Sequence, residues 1–328
     1  MRIVIPDDYP PAYADYPDEV ARLQAAGDAV LYDTRAADTE ELVARLADAD
    51  VAVTVRAYTV FDSALLARLP DLRLIAIVGT GTDQVDLRAA TEHGVLVCNA
   101  PGATTQSVAE LSIALMFAAA RRLPLTDRKV REGTWYHEQG WELRDKTLGL
   151  VGLGLIGQEV ARLGTALGMR VIAWSLTDDP DRAAACGAEL IPLDELLGEA
   201  HVVSLHLRAT ERTAGIIGAR ELALLRPGAL LVNTARAALI DEQALLDALD
   251  QGPLAVAGLD VYWQEPLPPD HSLLSRDNVI LAPHIAWVTD VGTASQVRLP
   301  VDNVLAYIAG QPQHVVNPEA LHHTRQQR

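Results

Sequence analysis

The chain has 328 residues, which suits two domains of ordinary size, and 49% of them are apolar, enough for a large buried core. Its 44 acidic side chains outnumber its 27 lysines and arginines, so the formal net charge is −17. This charge argues against nucleic acids and anionic membranes as partners, because long-range repulsion opposes both. An anionic substrate would need a few locally placed arginines instead.

The N-terminus, the most apolar helical stretch and the cysteines indicate the compartment. The opening Met-Arg-Ile-Val-Ile-Pro is typical of a first β-strand and not of a signal peptide. Residues 111–120 are flanked by charges and are too few to span a bilayer. Cys98 and Cys186 lack metal-ligand spacing and are typical of buried thiols in a reducing cytosol. We therefore expect a soluble, cytoplasmic protein without a metal site.

Short apolar runs alternate with helical patterns along the first third of the chain. The predicted strands are 2–5, 29–32, 51–55, 74–78 and 96–98. The predicted helices between them are 18–26, 39–47, 63–69 and 87–93. This βαβ alternation predicts a doubly wound α/β unit with a parallel sheet.

A second α/β unit is predicted after a long helix over 105–122. Its strands are predicted at 147–151, 170–174, 202–205, 230–233, 256–259 and 279–281. Six strands with intervening helices are typical of a dinucleotide-binding fold. A last helix, near 293–309, could return to the first unit. We therefore expect a discontinuous substrate domain, 1–101 plus 290–328, around a dinucleotide-binding domain at 102–289, with hinges near residues 100 and 290.

A glycine-rich turn lies between the strand at 147–151 and the helix that follows it. The sequence Val151-Gly152-Leu153-Gly154-Leu155-Ile156-Gly157 contains Gly-x-Gly-x-x-Gly. In this context Gly152 permits a tight turn, Gly154 lets a pyrophosphate approach the backbone, and Gly157 lets the helix pack on the strand. The phosphates would bind free N–H groups at the helix N-terminus. The turn predicts a dinucleotide site.

The choice between NAD and NADP depends on the end of the second strand of this unit. An acidic residue there normally binds the adenosine ribose of NAD, but the chain has Ser175. No Lys or Arg stands there to neutralise a 2′-phosphate, and Asp178 and Asp179 follow closely. Their charge favours NAD. NADP is not excluded.

At this point the chain resembles the D-isomer-specific 2-hydroxyacid dehydrogenase family, over about residues 51–318. The resemblance rests on motifs in the expected order: Val78-Gly79-Thr80-Gly81-Thr82-Asp83, Ser107-Val108-Ala109-Glu110, the glycine turn, Asn233-Thr234-Ala235-Arg236, Leu259-Asp260-Val261, Glu265-Pro266 and Pro283-His284. The first third is most similar to phosphoglycerate dehydrogenases, and the segment after Pro283 to glycerate or hydroxypyruvate enzymes. The resemblance implies a Rossmann NAD(P)-binding domain inserted into a smaller flavodoxin-like substrate domain.

Three residues would carry the chemistry of such an enzyme. Reduction of a 2-oxo acid needs a proton donor that titrates near neutral pH, and His284, just past the sixth strand, fits that role. By resemblance, Glu265 orients the imidazole and favours its charged form. Arg236 would grip the substrate carboxylate with its planar guanidinium and polarise the adjacent carbonyl.

Further substrate contacts are predicted in the first unit. A glycine-interrupted turn after a strand exposes N–H groups that can bind a carboxylate, and it comprises Val78, Gly79, Thr80 and Gly81. Arg56 matches the arginine that binds the far end of an acidic substrate in phosphoglycerate dehydrogenases. An arginine at a strand end could equally be solvated.

The resemblance also implies a set of cofactor contacts. These are Thr80, Gly152, Gly154, Leu155, Ile156, Gly157, Ser175, His206, Leu207, Thr213, Thr234, Ala235, Arg236, Asp260, His284 and Ala286. Asp260 would accept a hydrogen bond from the nicotinamide amide. Two positions depart from the family pattern: Ala237 replaces the usual Gly after the arginine, and His206-Leu207-Arg208 replaces His-x-Pro.

Other functions are also compatible with this set of residues. Formate dehydrogenases share the fold but use Gln where this chain has Glu265, which argues against them. An NAD(H)-sensing corepressor and a catalytically degenerate member also fit. The substrate could be glyoxylate, hydroxypyruvate, a phosphorylated three-carbon acid or a bulkier 2-oxo acid. Family members are usually homodimers, and the helix over 105–122 with Trp135, Tyr136 and Trp141 could form the interface.

Overall fold

The structure is a computed structural model that describes residues 1–9, 11–55 and 59–324. Within these residues the strands are β1 (Arg2–Ile5), β2 (Asp28–Leu31), β3 (Val51–Thr54), β4 (Leu74–Ile77), β5 (Leu96–Cys98), β6 (Thr147–Val151), β7 (Arg170–Trp174), β8 (Glu189–Leu190), β9 (Val202–Leu205), β10 (Ala229–Asn233), β11 (Leu254–Leu259) and β12 (Val279–Leu281). The helices are α1 (Pro17–Ala26), α2 (Thr39–Leu46), α3 (Ser63–Leu66), α4 (Leu87–Glu92), α5 (Thr105–Ala120), α6 (Leu123–Arg131), α7 (Leu155–Ala166), α8 (Pro180–Ala185), α9 (Leu193–Glu199), α10 (Ala219–Ala223), α11 (Glu242–Asp250), α12 (Asp290–Ile308) and α13 (Ala320–Thr324).

The chain divides into two units, and each is built on a parallel sheet. The first unit comprises Met1–Thr104 and Asp290–Arg328, and the second comprises Thr105–Thr289. The described residues of the first form a sheet of order β2-β1-β3-β4-β5, and those of the second a sheet of order β12-β11-β10-β9-β6-β7-β8. Every strand pair is parallel within these residues. The predicted α/β fold class is confirmed.

Central strands of the first unit are buried on both faces, as helices on the two sides of a parallel sheet require. Every residue of β3 and of β4 is buried. Three helices of this unit begin at an aspartate whose side chain accepts the N–H group three residues on. The pairs are Asp38 with Glu41, Asp62 with Leu65 and Asp86 with Ala89, at 2.8–2.9 Å. These caps satisfy backbone donors that the first helical turn leaves unpaired.

Helix α12 belongs to the first unit although it follows the second in the chain. It packs on α1 and on β4. The Tyr13 hydroxyl donates to the carbonyl of Val297 at 3.4 Å, and Arg22 forms an ion pair with Asp302 at 2.5 Å. The first unit is therefore assembled from both ends of the chain.

The second unit has one strand more than the sequence predicts. Strand β8 has two residues and pairs with β7 at the sheet edge, where Glu189 lies opposite Ile172. The prediction of six strands was wrong because two residues are too few to show an alternation of apolar and polar positions. The long predicted helix also ends at Ala120, and Arg122, with a φ of +53°, separates it from α6. Among the described residues, no helix has the length and apolarity needed to cross a bilayer.

Candidate active site

The glycine turn between β6 and α7 has the shape that a dinucleotide pyrophosphate needs. Gly152 has a φ of +110°, and a Cβ there would lie 2.6 Å from the carbonyl oxygen of His206. A Cβ on Gly157 would lie 2.2 Å from the carbonyl oxygen of Gly152. A Cβ on Gly154 would meet no atom within 4 Å. Two glycines are thus required by packing, whereas the third leaves open space at the N-terminus of α7, where phosphates bind. These residues fit the cofactor.

The segments after β7 and β9 lie on either side of this turn, because both strands pair with β6. The Gly152 N–H donates to the carbonyl of Trp174 at 2.7 Å, so half-buried Ser175 follows directly on one side. On the other side, a Cβ on Gly152 would lie 3.0 Å from the Leu207 side chain. Ser175 and Leu207 therefore flank the turn as predicted cofactor contacts should. Leu155 is exposed and Ile156 is half-buried at the start of α7.

Two predicted contacts in the segment after β9 have partners of their own. The imidazole Nε2 of His206 is 2.9 Å from the Ser204 hydroxyl, and burial lowers the pKa of His206 to about 4. It is therefore uncharged at neutral pH. Thr213 is fully buried, and its hydroxyl donates to the carbonyl of Arg208 at 2.6 Å and accepts the Thr210 N–H at 2.8 Å. This hydroxyl holds the loop in shape.

The turn that carries Arg236 is organised by buried polar groups at the end of β10. The Asn233 side chain accepts the Ala235 N–H at 3.0 Å and donates to the carbonyl of Arg236 at 2.9 Å. The hydroxyl of Thr234 lies 2.7 Å from the hydroxyl of Ser112 on α5. Both ends of the turn are thus tied down, and the half-buried Arg236 side chain starts from a defined position.

His284 and Glu265 form the hydrogen bond that the family resemblance implies. The imidazole Nδ1 lies 2.7 Å from Glu265 Oε2, and the side chains are 40% and 37% exposed, so a ligand can reach them. Tyr262 donates its N–H to the other carboxylate oxygen at 3.0 Å. Burial raises the pKa of Glu265, but the hydrogen bonds from His284 and Tyr262 and the positive charges of His284 and Arg236 lower it more, so its pKa is below the ordinary value.

Asp260 is fully buried behind His284 and holds the loop that carries it. Its two carboxylate oxygens accept the N–H groups of Ile285 and Ala286 at 2.8 and 2.9 Å. His284 itself has a φ of +54°, a backbone conformation that costs a residue other than glycine about 1–2 kcal/mol. Burial raises the pKa of Asp260, while these two backbone N–H groups oppose the shift. The two hydrogen bonds offset the cost of the His284 conformation.

In the first unit, the turn after β4 has the expected glycine geometry. Gly79 has a φ of +118°, which explains why a glycine is needed there. Its carbonyl accepts the Ala100 N–H at 2.8 Å, and the Thr80 hydroxyl donates to the carbonyl of Ala100 at 3.1 Å. Val78 and Gly81 are half-buried and Thr80 is exposed. The predicted substrate residue Arg56 lies outside the described residues.

A model of one protein family matches residues 113–286, more than half of the chain. It is described as the D-isomer specific 2-hydroxyacid dehydrogenase, NAD binding domain. The chain belongs to this family. The predicted membership is confirmed, and the second unit carries the family's NAD-binding domain.

Two relatives show how far the likeness extends. The chain is 40% identical to a D-3-phosphoglycerate dehydrogenase of Archaeoglobus fulgidus over 263 residues, which are 80% of this chain and 50% of that protein. It is 39% identical to a glyoxylate reductase of Aeropyrum pernix over 292 residues, 86% of this chain and 87% of that protein. The chain thus spans about half the length of the phosphoglycerate dehydrogenase but most of the reductase.

Solved structures of the fold carry both nicotinamide dinucleotides. A D-lactate dehydrogenase of Aquifex aeolicus, complexed with NAD and lactic acid, has a TM-score of 0.85 and 28% identity and covers 97% of this chain and 99% of its own. An acyclic imino acid reductase in complex with NADPH and D-Arg has a TM-score of 0.86 and 28% identity, with 96% and 100% covered.

The family's usual Gly after the arginine is replaced here without distortion. Ala237 is buried and starts a short 3₁₀ helix, Ala237–Leu239, a conformation that any L residue can adopt. Sequence reasoning assigned no role to Asn233, Ser112 or Tyr262, which position Arg236, Thr234 and Glu265. Asn233 was visible only as part of the motif that contains Arg236, and Ser112 and Tyr262 were ordinary polar residues within predicted elements or loops.

The two glycines of the turn give a matched pair of substitutions. Gly157→Ala places a Cβ against backbone, so we expect it to lower the free energy of unfolding by about 1–3 kcal/mol. Gly154→Ala meets open space and should change stability by less than about 0.5 kcal/mol. It should still weaken NADH binding at least about tenfold, because the Cβ occupies the phosphate approach. Thermal unfolding and NADH fluorescence titration measure both effects. Equal losses of stability and of NADH affinity in the two variants would contradict these separate roles of Gly157 and Gly154.

Asp260→Asn tests the anchoring of the His284 loop. The asparagine NH₂ group would face one of two N–H donors, so we expect a loss of about 1–3 kcal/mol in unfolding free energy. The control is Asp247→Asn, an exposed carboxylate on α11 that accepts the Gln243 side-chain amide. That variant should unfold like the wild type. Denaturant titration distinguishes the two, and unchanged stability of Asp260→Asn would rule out the anchoring role.

Proposed function

We propose that the chain is an NAD(P)-dependent D-2-hydroxyacid dehydrogenase acting on a small 2-hydroxy or 2-oxo acid. The observation that carries the proposal is the 2.7 Å contact between His284 and Glu265, just beyond the carboxyl end of β12. That edge also holds Arg236 and the glycine turn, and the carboxyl ends of parallel strands are where such sheets bind ligands. Catalysis, cofactor binding and substrate anchoring thus have residues at one edge of one sheet.

The bound dinucleotide supplies the acceptor for a hydride from C2 of the substrate. His284 takes the hydroxyl proton in oxidation and returns it in reduction. Because Nδ1 contacts Glu265, Nε2 is the nitrogen that exchanges the proton with substrate. Arg236 binds the carboxylate and holds the C2 oxygen beside the imidazole. A carboxylate next to the imidazole stabilises the charged form that each transfer produces or consumes.

The electrostatics of Glu265 suit this role. Its lowered pKa keeps the carboxylate ionised across the neutral range. The ionised Glu265 also contributes to the free energy of unfolding. This contribution is present above its ordinary pKa and is lost as the pH falls through the lowered pKa of the folded protein. The negative charge beside His284 is therefore permanent under assay conditions.

The two proposed domains bind different ligands. Residues 1–101 with 290–328 form the substrate domain, and 102–289 form the dinucleotide-binding domain. Within the first, the turn at 78–81 and Arg56 contact the acid. Within the second, cofactor contacts come from the glycine turn, Ser175, His206, Leu207, Thr213, Thr234, Ala235, Asp260 and Ala286, with Thr80 from the first domain. By the family resemblance, Asp260 accepts a hydrogen bond from the nicotinamide amide.

The enzyme acts in the cytoplasm as a homodimer. Support for self-association comes from large apolar side chains exposed near α5 and α6. Phe117, Leu123 and Val130 are 38%, 53% and 49% exposed, and Trp135 is 81% exposed. Such side chains are enriched in interfaces. Sedimentation at micromolar concentration should give twice the monomer mass, and a monomer would contradict this part of the proposal.

A matched histidine tests the catalytic assignment. His284→Asn should lower kcat for reduction of a 2-oxo acid by about 10²–10⁴, with NADH affinity within about twofold of wild type. The control is His271→Asn, because His271 also contacts a carboxylate, Glu242, at 2.8 Å but caps a short helix. It should keep turnover. A panel of 2-oxo acids of different size and charge, assayed by NADH and NADPH oxidation, supplies the substrate. Tight NADH binding without turnover across the panel would favour a sensor or a degenerate enzyme.

Glu265→Gln tests the proton transfer through pH. Gln cannot supply the negative charge that favours the imidazolium, so activity in the reducing direction should fall most on the alkaline side. The pH at which that activity is half lost should move down relative to wild type. Glu242→Gln, at the other histidine–carboxylate pair, should leave the profile in place. A parallel drop at every pH in Glu265→Gln would instead indicate a purely structural role.

A further inference from the structure

The adenosine end of the cofactor site has no carboxylate at the position that normally selects NAD. Ser175 follows β7 directly and is half-buried. A carboxylate at this strand end would bond the 2′-hydroxyl of NAD and repel the 2′-phosphate of NADP. A serine hydroxyl can hydrogen-bond either group and carries no charge. The strand end therefore lacks the carboxylate that would repel the 2′-phosphate of NADP.

The acidic residues that follow Ser175 repel a 2′-phosphate less than their number suggests. Asp179 begins α8 and accepts the Arg182 N–H at 2.9 Å. Its other oxygen forms hydrogen bonds with the Arg182 guanidinium at 2.8 and 3.1 Å. These interactions with Arg182 lower the pKa of Asp179, and the arginine compensates its charge. Asp178 is exposed and is screened by solvent ions.

A positively charged side chain, that of Arg208, belongs to the segment on the opposite side of the glycine turn. Arg208 follows β9 and replaces the proline of the family's His-x-Pro pattern. Its main chain is fixed by the buried Thr213 hydroxyl, which donates to the Arg208 carbonyl at 2.6 Å. Its side chain is exposed and, within residues 1–9, 11–55 and 59–324, forms no ion pair with a carboxylate. The guanidinium is available to an anionic ligand.

Strand order brings these features to one end of the site. Because β7 and β9 both pair with β6, Ser175 and Arg208 flank the turn at Gly152 from its two sides. The Leu207 side chain, next to Arg208, is the group that a Cβ on Gly152 would touch at 3.0 Å. A dinucleotide with its pyrophosphate on this turn has its adenosine half between the two segments.

We propose that Arg208 binds the 2′-phosphate of NADP(H), so that the chain accepts NADP(H) in addition to NAD(H). Guanidinium groups bind phosphates through paired, charge-assisted hydrogen bonds. The charges of Asp178 and Asp179 by themselves favour NAD. The pairing of Asp179 with Arg182 and the exposed guanidinium of Arg208 reduce that preference. This inference rests on the proposed cofactor site but not on the hydride-transfer step.

Direct binding measurements test the proposal without a substrate. NADH and NADPH are titrated by nucleotide fluorescence, and 2′,5′-ADP and 5′-AMP by calorimetry as probes of the adenosine end alone. Wild type should bind NADPH and NADH with Kd values within about tenfold of each other. Arg208→Gln should raise the Kd for NADPH and for 2′,5′-ADP about tenfold, and leave those for NADH and 5′-AMP within about twofold.

Two further variants make the result specific. Arg212→Gln removes an exposed arginine from the same loop and should change no Kd more than about twofold. Ser175→Asp should raise the Kd for NADPH at least about tenfold relative to the Kd for NADH. Absence of NADPH binding by wild type, or an equal effect of Arg208→Gln on both dinucleotides, would overturn the proposal. Failure of the dehydrogenase assignment would appear separately, as binding of both dinucleotides without turnover of any 2-oxo acid.

Discussion

The parallel direction of the strands in the second unit is the constraint on which its site depends. Each strand ends at the same edge of the sheet, so residues far apart in the chain follow neighbouring strands there. The order β12-β11-β10-β9-β6-β7 places His284, Asp260 and Arg236 after three adjacent strands, and the glycine turn two strands further on. An antiparallel sheet would send alternate segments to opposite ends. The proposed catalytic residues and the glycine turn share an edge for this reason.

A strongly acidic protein must bind anions through individual arginine side chains. Which arginines can do so depends on which of them are already paired with a carboxylate of the protein. Arg182 is paired with Asp179 and offers little to a ligand. Arg236 is kept near Glu265, whose carboxylate also serves His284. Arg208 is exposed, and its carbonyl accepts a hydrogen bond from the buried Thr213 hydroxyl. Affinity for an anion therefore comes from the placement of individual guanidinium groups and not from the field of the whole molecule.

Burial of Asp260 shows how a stable scaffold supports an unusual backbone. A buried carboxylate is costly unless it is fully hydrogen-bonded. Asp260 meets that condition with the N–H groups of Ile285 and Ala286, and the same two bonds fix the left-handed backbone of His284. Tyr262 adds a second tie, because its hydroxyl lies 2.9 Å from the carbonyl oxygen of Ala282 and 3.2 Å from that of Leu259, and donates its one hydrogen between them. The catalytic histidine proposed here is thus held in place by hydrogen bonds within the protein.

Sequence by itself determined the fold class, the strands other than the two-residue β8 to within a few residues, and the glycine turn. These depend on local periodicity and on a backbone conformation that favours glycine. The side-chain chemistry of His284 and Arg236, together with their positions after predicted strands, singled out these two residues, and the family resemblance added Glu265. Only the tertiary structure decided that Asp260 anchors the His284 loop, and that Asn233 and Ser112 shape the turn that carries Arg236. It also decided that the charge of Asp179 is compensated by Arg182. Those outcomes depend on distances between segments far apart in the chain, and residue type alone cannot reveal which partner a polar side chain will meet.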